Sequence, residues 1–496
     1  MQNESENSIK EINQRESVKE RRQRNIIFCV VFLLYMIWLC KKKSMTIFSI
    51  DAMDNWKSIV TWFSAERYGS YTLYKGFGAI YPYVWLYQLA EKMHMNEFFF
   101  CMVYYAILFA YLTTVGIPFI AEKLTDWKPY LWQRMILPIF FFVIWEYTNA
   151  LSELMVDLPS CAYFIMAVSC AITLPEQNGW KNVGRPLLGG LLAGLCANIS
   201  GQYSLSALCL ILLSVVLILQ KNKENKAKRI RESTGQVIVL LVGFATVKLL
   251  NNAFMKNEIA PMVANGAWIP EGNMWLERGL LYFIDKNRYL DVDLLNPRGF
   301  AILQDIYGSE SAAYEIQELA GNGYAGWSVL QFLEMVLHYP VDAVVQALDK
   351  FFLAFSVDLY HQSVVFLTLG YSLFYISGWN VVKRIKHWRD FLSPKTLVVL
   401  AAVCSLIPSM VMALEMRVAI GAQSIVFGTA LMCGSIPQTL ENGIYHMSRG
   451  RYGKMHESVG VGVYLVWFIF LLLCLMHIGT LYAQSDLGTE MLFNWY

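Results

Sequence analysis

Apolar runs of about membrane-spanning length alternate with short polar segments along this chain, the pattern of a polytopic helical protein. Eleven such runs stand out: Asn25–Cys40, Glu97–Ile120, Leu131–Thr148, Leu158–Leu174, Pro186–Ile199, Tyr203–Gln220, Gln236–Leu250, Ser363–Trp379, Leu397–Ala413, Val418–Cys433 and Val459–Thr480. A twelfth, FGAIYPYVWLYQLAEKM over Phe77–Met93, is crowded with Tyr and Trp, which favour the membrane–water boundary.

Charge decides how that twelfth run is used. Lys221–Arg231 (KNKENKAKRIR) carries six basic residues in eleven and belongs on the cytoplasmic side. With the amino terminus also inside, as KERRQR at Lys19–Arg24 suggests, six crossings bring the chain to this loop on the correct side. A seventh would put it outside, so Phe77–Met93 is expected to lie in or dip into the outer interface. Lys41–Lys43, on the expected outer side, opposes this count unless its lysines snorkel. One more crossing leads to residues 251–362, where acids outnumber bases; the basic clusters at Lys383–Arg389 and Met447–Lys454 then return inside, and the carboxyl terminus ends outside.

Four parts follow: a cytoplasmic tail (1–24), a membrane module (25–250) whose first outer loop is 41–96, a large outer loop (251–362), and carboxyl-terminal membrane helices (363–496). Within the large loop, Asn322–His361 has apolar residues at helical spacing interrupted at Pro340. Two amphipathic helices on the outer surface are predicted there. The small residues of GRPLLGGLLAG, Gly184–Gly194, predict close helix packing.

Composition fits an all-α polytopic membrane protein with about eleven transmembrane helices and juxtamembrane amphipathic helices on its outer face. Of 496 residues, 56% are hydrophobic and 16% charged, with 29 Phe, 28 Tyr and 15 Trp, outside the balance of a soluble domain. The ten cysteines lie in or beside apolar segments without metal-ligand spacing, and residues 251–362 hold none, so neither a zinc site nor a disulfide framework is expected. The hydrophilic start and the lack of a small-residue cleavage site predict an uncleaved first span.

Three polar positions converge on the outer face in this topology. They are Asp51 and Asp54 after the first span, Asp157 with Glu153 a turn upstream in SELMVDLPS, and Glu415 and Arg417 between the ninth and tenth spans. Two of these acids also have a structural explanation. Asp54 suits the N-cap of an amphipathic helix whose apolar face is Trp56, Ile59, Val60 and Phe63, and Asp157 suits the cap of a helix with Pro159 in its first turn. Together they offer a division of labour, in which a carboxylate acts as general base and the guanidinium holds a phosphate. His338 and His361 are further candidates for holding phosphate or sugar. The polar NISGQY, Asn198–Tyr203, is either part of a cavity wall or a turn.

The order of these features resembles the GT-C superfamily of membrane glycosyltransferases, most closely the bacterial enzymes similar to protein mannosyltransferases and aminoarabinose transferases. In that superfamily the first outer loop opens with an acidic motif, an amphipathic helix and a Gly about fifteen residues on, matched by Asp54 and Gly69. A Tyr-Pro element entering a juxtamembrane helix is matched from Tyr81, and an Asp just before a span by Asp157. HYPVDAVVQALDKFF and EMRVAIGAQSIVFG resemble its late juxtamembrane and Arg-containing segments. This chain departs in two places: Asn55 replaces the second acid, and Val418 follows Arg417 where Tyr or Phe is usual.

The resemblance implies transfer of a sugar from a polyprenyl-phosphate donor, usually with inversion, to a glycan, lipid or protein acceptor at the cell envelope. Asp54 would be the general base with Asp51 in reserve, Asp157 a second carboxylate, and Arg417 a phosphate ligand; Glu415, Tyr81, His338 and His361 are further substrate-binding candidates beside that implied set. Some branches of that superfamily need a divalent cation and others do not; no ligand cluster in the sequence decides between them. Membrane lipids are expected partners and nucleic acid is not. Two other functions fit a polytopic chain, a lipid-linked sugar transporter and an envelope polymer polymerase or ligase. A transporter should bury charge at mid-membrane, where only Lys248 and Glu146 come near, and a polymerase should carry a basic outer loop.

Overall fold

The computed structural model describes residues 2–42, 45, 50–64, 75–146, 150–174, 183–220, 226–259, 271–284, 294–295, 297–307, 327–355, 364–382, 394–412, 414 and 416–433, with isolated positions between 466 and 476. It is helical apart from one short antiparallel pair, in which β1 (Tyr282–Ile284) faces β2 (Leu294–Leu295). Among the described residues four helices are long and apolar enough to cross a membrane: Glu20–Lys41, Phe99–Thr125, Gly201–Leu219 and Ser233–Asn257. Shorter apolar helices include Asp157–Thr173, Val398–Val411 and Arg417–Met432. Each of the first ten apolar runs coincides with a helix, and Val459–Thr480 lies almost wholly outside the described residues.

Helix α1 spans Gln2–Lys41, so the hydrophilic tail continues the first apolar run without a break. Helix α2 (Ile50–Val60) and helix α3 (Phe77–Lys92) follow. Helix α4 runs from Phe99 to Thr125 through a wide turn over Leu112–Gly116, where the Ile117 N–H donates to the Leu112 carbonyl. Pro118 accounts for that turn: it has no N–H for the Thr114 carbonyl, and its ring would strike that oxygen in a regular helix. Then come α5 (Leu131–Glu146), α6 (Asp157–Thr173), α7 (Gly184–Ile199), α8 (Ser204–Gln220) and α9 (Lys226–Phe254).

The small residues of α7 pack as expected. A Cβ on Gly190 would stand 2.1 Å from the Leu240 carbonyl oxygen of α9, and one on Gly243 would stand 2.5 Å from the Leu187 oxygen. The two backbones touch, which only glycine allows.

Side chains tie the helix ends into two groups. At one end Glu20 meets Lys128 at 3.4 Å, Asp126 pairs with Lys395, and Gln133 Nε2 donates to the Leu431 carbonyl at 2.9 Å. At the other end Lys42 pairs with Glu146 and sits 4.6 Å from the Trp38 ring. Lys42, just past the end of α1, thus has an anion and a ring to rest on.

A small separate unit follows α9: α10 (Glu271–Leu281), the β pair, α11 (Pro297–Tyr307), α12 (Val329–His338) and α13 (Pro340–Leu353). The break between the last two falls at Pro340, as its missing N–H dictates. Ser328 and Gln331 close a capping box at the start of α12. Leu280, Leu281 and Ile302 form the unit's own core. Lys350, 1% exposed, docks it by donating to the Gly279 and Met412 carbonyls. Leu330, Leu333, Leu337, Val341 and Val344 remain exposed along α12 and α13. Helices α14 (Val364–Val382), α15 (Pro394–Val411) and α16 (Ile420–Met432) complete the bundle.

Two local expectations are corrected: Asp157 does not cap α6 but is its first residue, with Val156 at the N-cap position and no side-chain cap. Asp54 does not cap α2, because the helix begins at Ile50 and Asp54 lies inside it. The buried stripe is therefore Ala52, Asn55, Ile59 and Trp62, while Phe63 is 64% exposed. Starting the helix a turn earlier moves the apolar face with it.

Candidate functional site

The side chains that meet at the Lys42 end of the bundle come from three helix beginnings. Asp51 stands in the first turn of α2 and Asp157 is the first residue of α6, both at the positive pole of the helix dipole. Arg417 lies in the short 3-10 turn Met416–Ala419 that leads into α16. Its Nη2 is 2.6 Å from Asp51 Oδ2, and its Nη1 is 3.9 Å from Asp157 Oδ2 and 2.9 Å from Met155 Sδ. One guanidinium thus links two carboxylates that are far apart in sequence. Of the three side chains Asp51 is the most open at 38%, against 14% for Arg417 and 6% for Asp157.

The segment before Asp157 is held by phenols and one amide. Tyr35 donates to the Leu151 carbonyl at 2.5 Å, and Asn55 Nδ2 to the Leu154 carbonyl at 3.1 Å. Tyr83 and Tyr105 both donate to the Met155 carbonyl, and the Met155 N–H returns a bond to the Tyr105 hydroxyl at 2.8 Å. Burial, reinforced by Tyr105, pushes the Tyr83 hydroxyl well above its ordinary range and keeps it a neutral donor. With its backbone groups satisfied in this way, a non-helical stretch can be buried and still present Asp157 in a fixed place.

Of the residues singled out from sequence, the structure joins Asp51, Asp157 and Arg417. Asp54 lies one turn beyond Asp51 on α2, partly buried, and its carbonyl accepts from Ser58 Oγ at 2.8 Å. Tyr81 is 39% exposed and packs on Trp62, Trp85 and Phe254. His338 ends α12 with its ring 4.9 Å from that of Tyr339. Neither contacts the Arg417 cluster. Glu415, His361 and Gly69 lie outside the described residues.

Sequence reasoning did not single out Tyr35, Tyr83, Tyr105, Met155 or the structural use of Asn55. Tyrosines inside spans carry no local mark that separates a carbonyl clamp from a packed ring. Asn55 did carry one, as a lone amide where the resemblance leads one to expect an acid.

Among the described residues no three His, Cys, Asp or Glu side chains group to hold a metal ion. Between Asp51 and Asp157 the Arg417 guanidinium stands where a cation shared by two carboxylates would sit. No protein-family model matches this sequence and no curated protein matches it, so the site is read from its own geometry.

Proposed function

We propose that this protein is an integral-membrane glycosyltransferase of GT-C-like architecture, moving a sugar from a polyprenyl-phosphate donor to an envelope glycan, lipid or protein. About eleven crossings, a cytoplasmic amino terminus and an outer-face site belong to the same proposal. The observation that carries it is Arg417 linking Asp51 and Asp157 at 2.6 and 3.9 Å. Three segments distant in sequence place ionisable groups together at one end of an apolar bundle, where a lipid-borne substrate would present its headgroup. The exposed apolar faces of α12 and α13 suit helices resting on the outer leaflet.

In this reading Asp54 is the general base. The acceptor hydroxyl attacks the anomeric carbon as Asp54 takes its proton; the bond from that carbon to the phosphate oxygen breaks, and polyprenyl phosphate leaves with the electron pair. Asp51 and Asp157, both engaged by Arg417, hold the cleft in shape and orient sugar hydroxyls. A guanidinium between two carboxylates has its charge more than offset within the cluster, so a phosphate needs a cation elsewhere.

Membranes containing Asp54→Asn or Arg417→Ala at normal expression test the reading, by transfer of labelled sugar from a polyprenyl-phosphate donor. Loss of a general base costs about 10²–10⁴ in rate. Transfer at the unaltered rate in both variants would refute the assignment.

A further inference from the structure

A separate cavity of about 220 Å³ opens at the same end of the bundle, lined by Lys75, Gly76, Asn198, Gly201, Lys248 and Asn251 among others. It is smaller than the roughly 300–1,000 Å³ of pockets for whole drug-sized ligands, a size suited to a headgroup. Its walls come from the beginning of α3, the end of α7 and the last turns of α9. NISGQY, which in sequence was either a turn or a cavity wall, contributes Asn198 and Gly201.

The hydrogen-bonding capacity of this lining is one-sided. The α3 amino terminus has no cap from its own Gly76; instead the Phe77 N–H donates to Asn251 Oδ1 at 3.2 Å and the Gly78 N–H to Asn198 Oδ1 at 2.9 Å. Both amide oxygens therefore serve the helix, and the amide NH₂ groups remain as donors. Gly76 permits this arrangement, because a Cβ there would stand 2.1 Å from Asn198 Nδ2. Among the described residues no Asp or Glu lines the cavity, and two lysines do. Lys248 lies near the end of a membrane-length apolar helix and, among the described residues, forms no ion pair. A cation kept in such a segment calls for a reason.

The cavity lies close to the Arg417 cluster. Gln202, next to Gly201 of the wall, donates to the Val418 carbonyl at 3.2 Å, one residue from Arg417. Helix α2 joins the two sites from the other direction: Asp51 stands at its start, and Trp62, just past its end, stacks on Phe254 at 5.7 Å beside Met255 of the wall. Eleven helical residues span about 16 Å. Of the two neighbouring sites, the cluster has two carboxylates to one guanidinium and the cavity has two lysines, so the cavity is the one that favours an anion.

We infer that this cavity is a phosphate site, in which Lys75, Lys248 and the amide NH₂ groups of Asn198 and Asn251 hold the phosphate of a lipid-linked substrate; the lipid part rests on the function proposed above. Two ammonium groups and neutral amides select a phosphate mono- or diester over a neutral headgroup.

Binding of a polyprenyl phosphate to the purified full chain in nanodiscs tests this, with the polyprenol of equal length and inorganic phosphate as the other probes. Thermal unfolding of each variant checks that it is folded. The polyprenyl phosphate should bind about tenfold tighter than the polyprenol, Lys248→Gln and Lys75→Gln should each remove most of that difference, and Lys248→Arg should keep it. Equal binding of alcohol and phosphate, or lysine variants that bind like the wild type, would overturn the site. Inorganic phosphate bound in a Lys248-dependent way without any lipid binding would overturn the lipid source and keep the anion site. Because the assay reads binding, loss of binding in Lys248→Gln beside a wild type that transfers no sugar would sink the proposed function and spare this inference. Unchanged binding beside an Asp54-dependent transfer would do the reverse.

Discussion

Arg417 and Asp51, 366 positions apart, form a charge-assisted hydrogen bond of 2.6 Å at the entrance of the carboxylate cluster. A guanidinium can reach Asp51, Asp157 and Met155 at once because its nitrogens are splayed in a plane. An ammonium has no such reach. Arg417→Lys should therefore lower activity as Arg417→Ala does, although it keeps the charge. A double-mutant cycle with Asp51→Asn, read by thermal unfolding, should give a coupling of about 1 kcal/mol, limited by the openness of Asp51. Strict additivity would show that the pair does not act as a unit.

Asn55 is fully buried and tethers the Leu154 carbonyl, and so the segment that delivers Asp157. Asn55→Leu should destabilise the fold by about 1–3 kcal/mol, since it strands that carbonyl. Asn55→Asp, which restores the acid of the related pattern, should do worse, by setting a buried carboxylate against a carbonyl oxygen. Denaturation of the purified variants ranks the three; an Asp variant as stable as the parent would contradict this account.

Close contact between α7 and α9 gives a sharp steric contrast. Gly190→Ala would press its methyl to 2.1 Å from a backbone oxygen, whereas a Cβ on neighbouring Gly189 would meet Cys170 Cβ at 3.4 Å. The first substitution should lower the unfolding temperature markedly, with overpacking of about 1–3 kcal/mol. The second should be nearly neutral. Thermal unfolding of the two variants side by side decides.

Lys350 gives the protein a pH dependence of known sign. Burial lowers it from an ordinary 10.5 to about 7. Between those values the unfolded chain holds a proton that the folded chain lacks, so stability rises with pH across this window, and the increment is absent below it. Lys350→Met should flatten the rise. Thermal unfolding of parent and variant over the window measures it, and parallel profiles would show that Lys350 does not titrate there.

How far sequence reached depends on the range of the information. Length and hydropathy are local, and they placed α1, the helices from α3 to α9 and from α12 to α16, and the break at Pro340; α10, α11 and the short β pair, which lack a long apolar run, were not singled out. The start of α2 is not local: Asp54 followed by apolar residues reads as a cap, yet Asp51 is drawn into the first turn beside an arginine near the other end of the chain. Convergence of Asp51, Asp157 and Arg417 was legible, because the charge pattern fixes which helix ends share a face. The clamp on Leu151–Met155 was not, since it depends on which of many span tyrosines turn towards a carbonyl. Tyr81 and His338 illustrate the converse: residues with suitable chemistry whose rings settle on other aromatics.

The wide turn in α4 has an angular consequence. Each residue of an α-helix advances the side-chain direction by about 100°, so the residue accommodated over Leu112–Gly116 re-aims everything beyond it. Before the turn Phe109 stacks on Tyr35 of α1 at 5.0 Å; after it Ile117 meets α16 so closely that a Cβ on Gly428 would stand 2.1 Å from its Cγ2. A regular helix would point one of these two faces away from its neighbour. Pro118 therefore sets the azimuth between the first helix of the bundle and the helix that carries Arg417 at its head.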